Sequence, residues 1–287
     1  MSTEKSLEGK TAILFGAGAI ASGYAPLFVD EGVNLVISAK DDPEDHTAEE
    51  LAAEMRERGG TAIVALGDAS NFEQVGEVYA KAVKEFGHID ITINGAGGNM
   101  KPAVISSLDA FADMDPEVAI KMMAFNYFSK RFSLQHFADY LRGADHEGRV
   151  VNITSMSGLE PLSKVIDYSA AYAAIENLTK SIAHLYGKAG IGAVNNVAVG
   201  FTIGDQNRAL LTNEDGSYTD RAKEILAGTS RGRFLDVAEI GPHVLMLADQ
   251  SKSAQLNGIT LRVDLGYDLV NLAGTSGYAT LAPKKGK

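Results

Sequence analysis

Two hydroxyl side chains, Ser155 and Tyr168, lie thirteen positions apart, and a second tyrosine, Tyr172, follows four residues later. A serine and a tyrosine brought together can bind a carbonyl oxygen and hand it a proton, because negative charge growing on that oxygen needs hydroxyl donors. Upstream, Gly16-Ala17-Gly18 follows a short apolar run and precedes helix-compatible sequence. A glycine turn at such a place aims backbone N–H groups and the positive end of a helix at a pyrophosphate. Asn94-Gly95-Ala96-Gly97 closes a later apolar run. Taken singly these signals are weak, since glycine pairs are common in turns and a buried Ser or Tyr is more often a satisfied structural hydroxyl.

The elements that must position these residues are legible in the periodicity. A strand over 11–15, the glycine turn and a helix over 19–31 form a first unit. The unit recurs as 34–38 with 44–58, as 61–66 with 72–86, and as 89–94 with helical sequence through 141. It continues as 149–154 with 168–189, and as 193–199 with a looser segment before 238–248; a last strand is expected over 259–263. Near-continuous Ile, Leu and Val runs suit strands covered on both faces, as in a parallel sheet between helix layers. The pattern predicts a doubly wound α/β fold with seven strands, and no linker rich in Pro, Gly or Ser divides the chain. A single domain over 1–287 is expected, with the polar, turn-rich stretch near 201–234 as a substrate lid beyond the carboxyl ends of the strands.

Composition narrows the function. Of 287 residues, 45% are apolar and 22% charged, which suits a globular chain rather than a disordered one. Acidic residues outnumber basic ones by 37 to 26, and a net charge of −11 argues against nucleic acid as a partner. The absence of cysteine excludes disulfides, thiolate zinc sites and cysteine nucleophiles. The six histidines show no metal-ligand spacing, so no metal is expected. With no signal-peptide pattern and no apolar run approaching about 18 residues, no membrane association and a cytoplasmic location are expected.

The glycine turn, Asp68 after the third strand, Asn94-Gly95-Ala96-Gly97, Asn126, and Ser155 with Tyr168 together resemble the short-chain dehydrogenase/reductase family, from about Gly9 to Gly266. The resemblance implies a Rossmann domain, an oxidoreductase activity and a homotetramer or homodimer with the Asn126 and Tyr168 helices at one interface. It implies that Gly16, Gly18, Ile20, Lys40, Asp68, Asn94, Ala96 and Gly97 bind the cofactor, with Asp68 on the adenine. It implies that Asn126 holds a water of a proton relay, Ser155 binds the substrate carbonyl and Tyr168 gives or takes the proton.

The sequence departs from the family pattern at three places. Tyr172 stands four residues after Tyr168, where the family carries a lysine that holds the nicotinamide ribose and favours phenolate. Its loss weighs more on oxidation than on reduction, because a phenol with a reference pKa of about 10 is already protonated at neutral pH. Lys164 is a conceivable substitute, although nothing in its spacing aims it at the site. In the cofactor turn, Ala19-Ile20-Ala21 replaces the later glycines, and Val199-Gly200 replaces Pro-Gly. At the end of the second strand Ala39 and Lys40 occupy the place of an acidic ribose ligand, so NADP(H) is expected over NAD(H), with Asp41, Asp42 and Asp45 arguing back. The segment around Gln206, Asn207 and Arg208 is similar to a mannonate or fructuronate oxidoreductase-like branch, which implies sugar-acid substrates with Arg208 on a carboxylate. The expected activity is reduction of a carbonyl in a small polar or cyclic substrate; the alternative is a non-redox lyase or isomerase, or a silent binding protein, on the same fold.

Overall fold

Strands β1 (Thr11–Phe15), β2 (Asn34–Ser38), β3 (Ala62–Val64), β4 (Ile91–Asn94), β5 (Gly148–Ser155), β6 (Gly192–Val199) and β7 (Thr260–Val263) form one sheet in the order β3-β2-β1-β4-β5-β6-β7. Every neighbouring pair in this computed structural model runs parallel. The structure describes residues 5–40, 46–204, 207–267 and 269, so Asp41, Asp42, Asp45 and Gln206 lie outside the described residues. β1, β4, β5 and β6 are buried at every position. Helices cover both faces, which is why these strands read as unbroken apolar runs.

The helices are α1 (Ala19–Asp30), α2 (Thr47–Glu57), α3 (Phe72–Phe86), α4 (Leu108–Ala112), α5 (Pro116–Met123), α6 (Ser129–Leu141), α7 (Ile166–Ala189), α8 (Arg208–Leu211), α9 (Asp220–Gly228), α10 (Gly241–Ala248) and α11 (Gln250–Ser253). A π-helical turn over Ala124–Phe128 joins α5 to α6, and it carries Asn126. α3 begins where the Asn71 side chain accepts from the Gln74 N–H, and α7 ends at Gly190 in the left-handed conformation, φ 66°. Tyr168 therefore sits inside the first turn of α7 rather than opening it, and the helix expected over 238–248 is a 3-10 turn followed by α10.

The residues up to Val199 together with Asp236–Val263 form one unit, which holds the sheet. Gly200–Leu235 with the described residues from Asp264 onward form a second unit. The second unit has its own small core of Leu211, Ala222, Ile225 and Phe234. Where the sequence showed only a loose segment, it folds as α8 and α9; turn residues at Gly204, Gly216 and Gly228 hide helices of four and nine residues from any periodicity count. Among the described residues, no helix is long and apolar enough to cross a membrane, and no cluster of His, Cys, Asp or Glu could hold a metal ion.

Candidate active site

The chain reverses direction across the sheet between β1 and β4, and the loops leaving these two strands face each other at their carboxyl ends. Gly16 N–H donates to Ser38 O at 2.7 Å and Gly95 N–H to Phe15 O at 2.7 Å. Gly16 has φ 97°, and a Cβ there would lie 2.8 Å from Ala96 N, so only glycine lets the two loops touch. Gly18 is different: it caps α1 with no side-chain hydrogen bond, has φ −73°, and faces open space where a Cβ would sit. Ala21 N–H already donates to Gly18 O at 2.8 Å, and the N–H groups of Ala19 and half-buried Ile20 ahead of it are left for an anion. This cradle fits a dinucleotide pyrophosphate.

The missing later glycine of the turn has a physical substitute. Gly23, two residues beyond the buried Ala21, is where α1 is approached most closely: a Cβ on it would lie 2.1 Å from Val237 O. Close packing of α1 is therefore retained, displaced along the helix. Two variants separate the glycines' roles. Gly16→Ala is expected to lower stability by about 1–3 kcal/mol, because it forces a Cβ into a left-handed residue against backbone. Gly18→Ala is expected to leave the melting temperature within a few degrees and to weaken nucleotide binding tenfold or more. Thermal melts and nucleotide titration check both, and a Gly18→Ala protein with unchanged affinity would remove the cradle from Gly18.

β5 delivers Ser155 at its last residue, where its side chain also caps a 3-10 turn over Met156–Gly158 by accepting from Ser157 N–H at 3.2 Å. Gly158 lets this turn lie on α7, since a Cβ there would be 2.8 Å from the Tyr172 backbone carbon. Ser155 and the first turn of α7 are thereby pressed together. Ser155 is 8% exposed, Tyr172 5%, and Tyr168 is half-buried. Ser157 Oγ donates to Ser155 Oγ at 3.0 Å, and the Tyr168 hydroxyl is hydrogen-bonded to both Ser155 and Tyr172. The two tyrosine rings meet edge to face at 4.7 Å between centroids.

Burial raises the Tyr168 phenol above its ordinary value, and the bonds from Ser155 and Tyr172 pull it back down. Burial pushes Tyr172 well above that range, helped by the neighbouring Tyr168 and by the hydrogen bond between the two phenols. The Tyr168 hydroxyl can both donate and accept, so it can turn its proton to an outside acceptor while accepting from its neighbours. Both phenols are neutral at physiological pH, which suits an acid rather than a base.

Asn126 and Gly97 complete the floor. Asn126 is fully buried; its Oδ1 accepts from Gly98 N–H at 2.8 Å and its Nδ2 donates to Gly98 O and Met122 O, both at 3.0 Å. The side chain is spent on clamping the glycine loop. Gly97 has φ 151°, and the place of its missing Cβ is 2.8 Å from Asn126 Oδ1, 2.8 Å from the Tyr172 hydroxyl and 3.2 Å from Lys130 Nζ. Lys130 is the residue that sequence reasoning missed. It lies in the first turn of α6, is 0% exposed, and donates to Ala96 O at 2.7 Å, with Nζ 5.3 Å from the centre of the Tyr172 ring. The available signal was a charged side chain four residues after Asn126 on a face otherwise filled by Met122, Leu134 and Phe137.

Other expected residues sit elsewhere. Asn94 is fully buried beneath the loop, donating to Asn152 Oδ1 at 2.8 Å, and a polar strip continues through Asn152, Thr179 and Asn196 to Glu176. It ties the sheet to α7, and the Asn94 side chain is not on the floor of the site. Lys40 and Asp68 form an ion pair at 3.8 Å beyond β2 and β3, with Asp68 Oδ1 also accepting from Ser70 N–H at 2.8 Å. Lys164 is exposed and its carbonyl accepts from Ile105 N–H, so it does not replace the absent cation. Arg208 opens α8 in the second unit.

A parallel sheet whose strand order reverses at β1 and β4, an open helix N-terminus there, and a hydrogen-bonded serine–tyrosine pair define a Rossmann-type nucleotide-dependent oxidoreductase. The short chain dehydrogenase family profile matches residues 10–215, and the chain belongs to that family. It is 33% identical to the uncharacterized oxidoreductase UxuB of Bacillus subtilis, over 92% of this chain and 96% of that protein. It is 34% identical to a candidate D-mannonate oxidoreductase of Haemophilus influenza whose crystal structure contains bound NAD, with a TM-score of 0.84 over 92% of this chain and 97% of that one. An L-rhamnose 1-dehydrogenase (NAD(P)(+)) of Sphingomonas is 29% identical over 94% of this chain and 98% of its own.

Proposed function

We propose that the protein reduces the ketone of a small sugar acid with NADP(H), Tyr168 donating the proton and Ser155 binding the carbonyl oxygen. The observation that carries this reading is the meeting of two hydroxyls: Ser155 at the end of β5 and Tyr168 in the first turn of α7 are hydrogen-bonded to each other, and burial keeps the Tyr168 phenol protonated. When bound, the nicotinamide supplies a hydride to the carbonyl carbon and is left oxidised. This chain's residues supply the rest. The Ser155 hydroxyl turns to the carbonyl oxygen, Tyr168 transfers its proton there, and the charge left on Tyr168 is met by the hydrogen bond from Tyr172. The first turn of α1 and the Gly95–Gly98 loop hold and orient the nucleotide. The sugar-acid class follows the similarity to the Haemophilus protein.

NADP(H) preference rests on Lys40, exposed at the end of β2 where an acidic ribose ligand would otherwise stand. Fluorescence titration is expected to give tighter binding of NADPH than of NADH. Lys40→Ala is expected to weaken NADPH about tenfold and leave NADH unchanged, as loss of one charge-assisted bond implies. Tighter binding of NADH by the unaltered protein would transfer specificity away from Lys40. The activity itself is tested by following nucleotide absorbance with D-fructuronate as oxidant; no turnover with either nucleotide would overturn the reductase reading.

A further inference from the structure

Lys130 is a buried amine that the chemistry described so far leaves unused. Among the described residues no carboxylate pairs with it. The groups facing it are the Ala96 carbonyl and Gly97 from the loop after β4, Asn126 from the π-helical turn, and Tyr172 from α7. Of these only Tyr172 titrates, and Tyr168 stands next beyond it. The amine therefore approaches a line of hydroxyls running from Lys130's neighbour Tyr172 through Tyr168 to Ser155.

We propose that Lys130 supplies from α6 the positive charge that Tyr172 displaces from α7, acting through the Tyr172 hydroxyl as the positioning residue that stabilises Tyr168 once its proton has passed to the substrate. The inference rests on the reductase reading above. In that step the Tyr168 O–H bond breaks, a new O–H bond forms on the carbonyl oxygen that has become an alkoxide by hydride addition, and one negative charge remains on Tyr168. The Tyr172 hydroxyl donates to that oxygen, and the Lys130 ammonium beneath it offsets the charge without giving up a proton.

Packing alone does not account for a lysine here. Burial lowers the Lys130 amine to about 7. Between that pH and the ordinary lysine value of about 10.4 the unfolded chain binds more protons than the folded one, so stability falls as pH drops towards 7 and the full penalty is present below it. A methionine would fill the same space with no such penalty. A charge that titrates near neutrality beside a proton donor is instead useful, because it is present when the donor must act as an acid.

The test compares the pH dependence of kcat for D-fructuronate reduction in the unaltered protein and in Lys130→Met, with lysine ε-13C NMR of the nucleotide-free protein as an independent measure. The unaltered protein is expected to slow as pH rises through about 7, where the ammonium is lost. Lys130→Met is expected to be flat from about pH 6 to 9, roughly tenfold slower than the unaltered protein at pH 6 and equal to it at pH 9, with KM for the ketone within about twofold. One lysine resonance is expected to titrate near 7 and to be missing from Lys130→Met. Tyr172→Phe, which keeps the ring and removes the hydroxyl link, is expected to lower kcat and flatten the profile while that resonance still titrates; it serves if Lys130→Met does not fold. Profiles of both variants that parallel the unaltered protein, or a Lys130 resonance in the ordinary lysine range, would overturn the proposal. Absence of turnover in the unaltered protein would bring down the reductase reading and this role with it, a result kept distinct because the resonance is read from the protein alone.

Discussion

Replacing Tyr168 with phenylalanine is expected to lower kcat for ketone reduction by roughly a thousandfold, while the melting temperature moves by no more than a few degrees. A positioned general acid contributes about 10²–10⁴-fold, and Tyr168 is the phenol hydrogen-bonded to Ser155 that is not fully buried. The ring stays half-buried against Tyr172, so packing survives, and the Tyr172 hydroxyl loses one acceptor, a change of about 1 kcal/mol. Ser155→Ala is expected to lower kcat by about 10²–10³-fold, as removal of one donor to a developing oxyanion does. It is expected to cost about 1 kcal/mol more in stability than Tyr168→Phe, because Ser155 also caps the 3-10 turn through Ser157 N–H. Steady-state rates with NADPH and D-fructuronate, alongside circular dichroism melts, separate the two effects. Turnover of Tyr168→Phe within about threefold of the unaltered protein would show that another group supplies the proton.

The scaffold was legible because its signals are local. Strand runs at 11–15, 34–38 and 193–199 are covered on both faces and show no alternation, and β1 and β2 fall at the expected residues. Gly16 and Gly18 were legible as a turn, but their different duties were not: one has a neighbour 2.8 Å from its missing Cβ and the other has none within 4 Å, a contrast set by the loop after β4, some 80 residues away in sequence. Asn94 was read as a cofactor ligand from its motif, whereas its side chain turns down into a polar strip that only the pairing of β4, β5 and β6 creates. Lys130 shows the limit most clearly. The sequence offers Lys164, near Tyr168 in the chain, as a substitute for the absent lysine, but α6 comes to the site from another part of the sequence, and only its packing on the loop after β4 brings amine and phenol together.

Restoring the family's lysine, Tyr172→Lys, is expected to damage the protein rather than repair it. On sequence alone two outcomes stand: a site that has simply lost its cation gains alcohol oxidation, roughly tenfold per 1.4 kcal/mol recovered, whereas a site adapted around Tyr172 loses its native activity. In the fold, the Tyr172 hydroxyl and Lys130 Nζ lie 2.8 and 3.2 Å from the same point above Gly97, so a second amine would enter the space one amine already occupies. Two ammonium groups about 4 Å apart repel by about 4 kcal/mol at an effective dielectric constant near 20, and one of them avoids this only by losing its proton. The expected outcome is a loss of about 2–4 kcal/mol in stability at pH 6 that shrinks towards pH 9 as the amines neutralise, with no gain in oxidation or reduction. The double variant Tyr172→Lys with Lys130→Met holds a single cation again, and it is expected to recover stability at pH 6 and to turn over within about threefold of the unaltered protein. Urea unfolding at the two pH values and rates in both directions decide the matter. A Tyr172→Lys protein that oxidises D-mannonate faster than the unaltered one, without loss of stability, would mean that the native site lacks a working cation and that Lys130 does not fill that place.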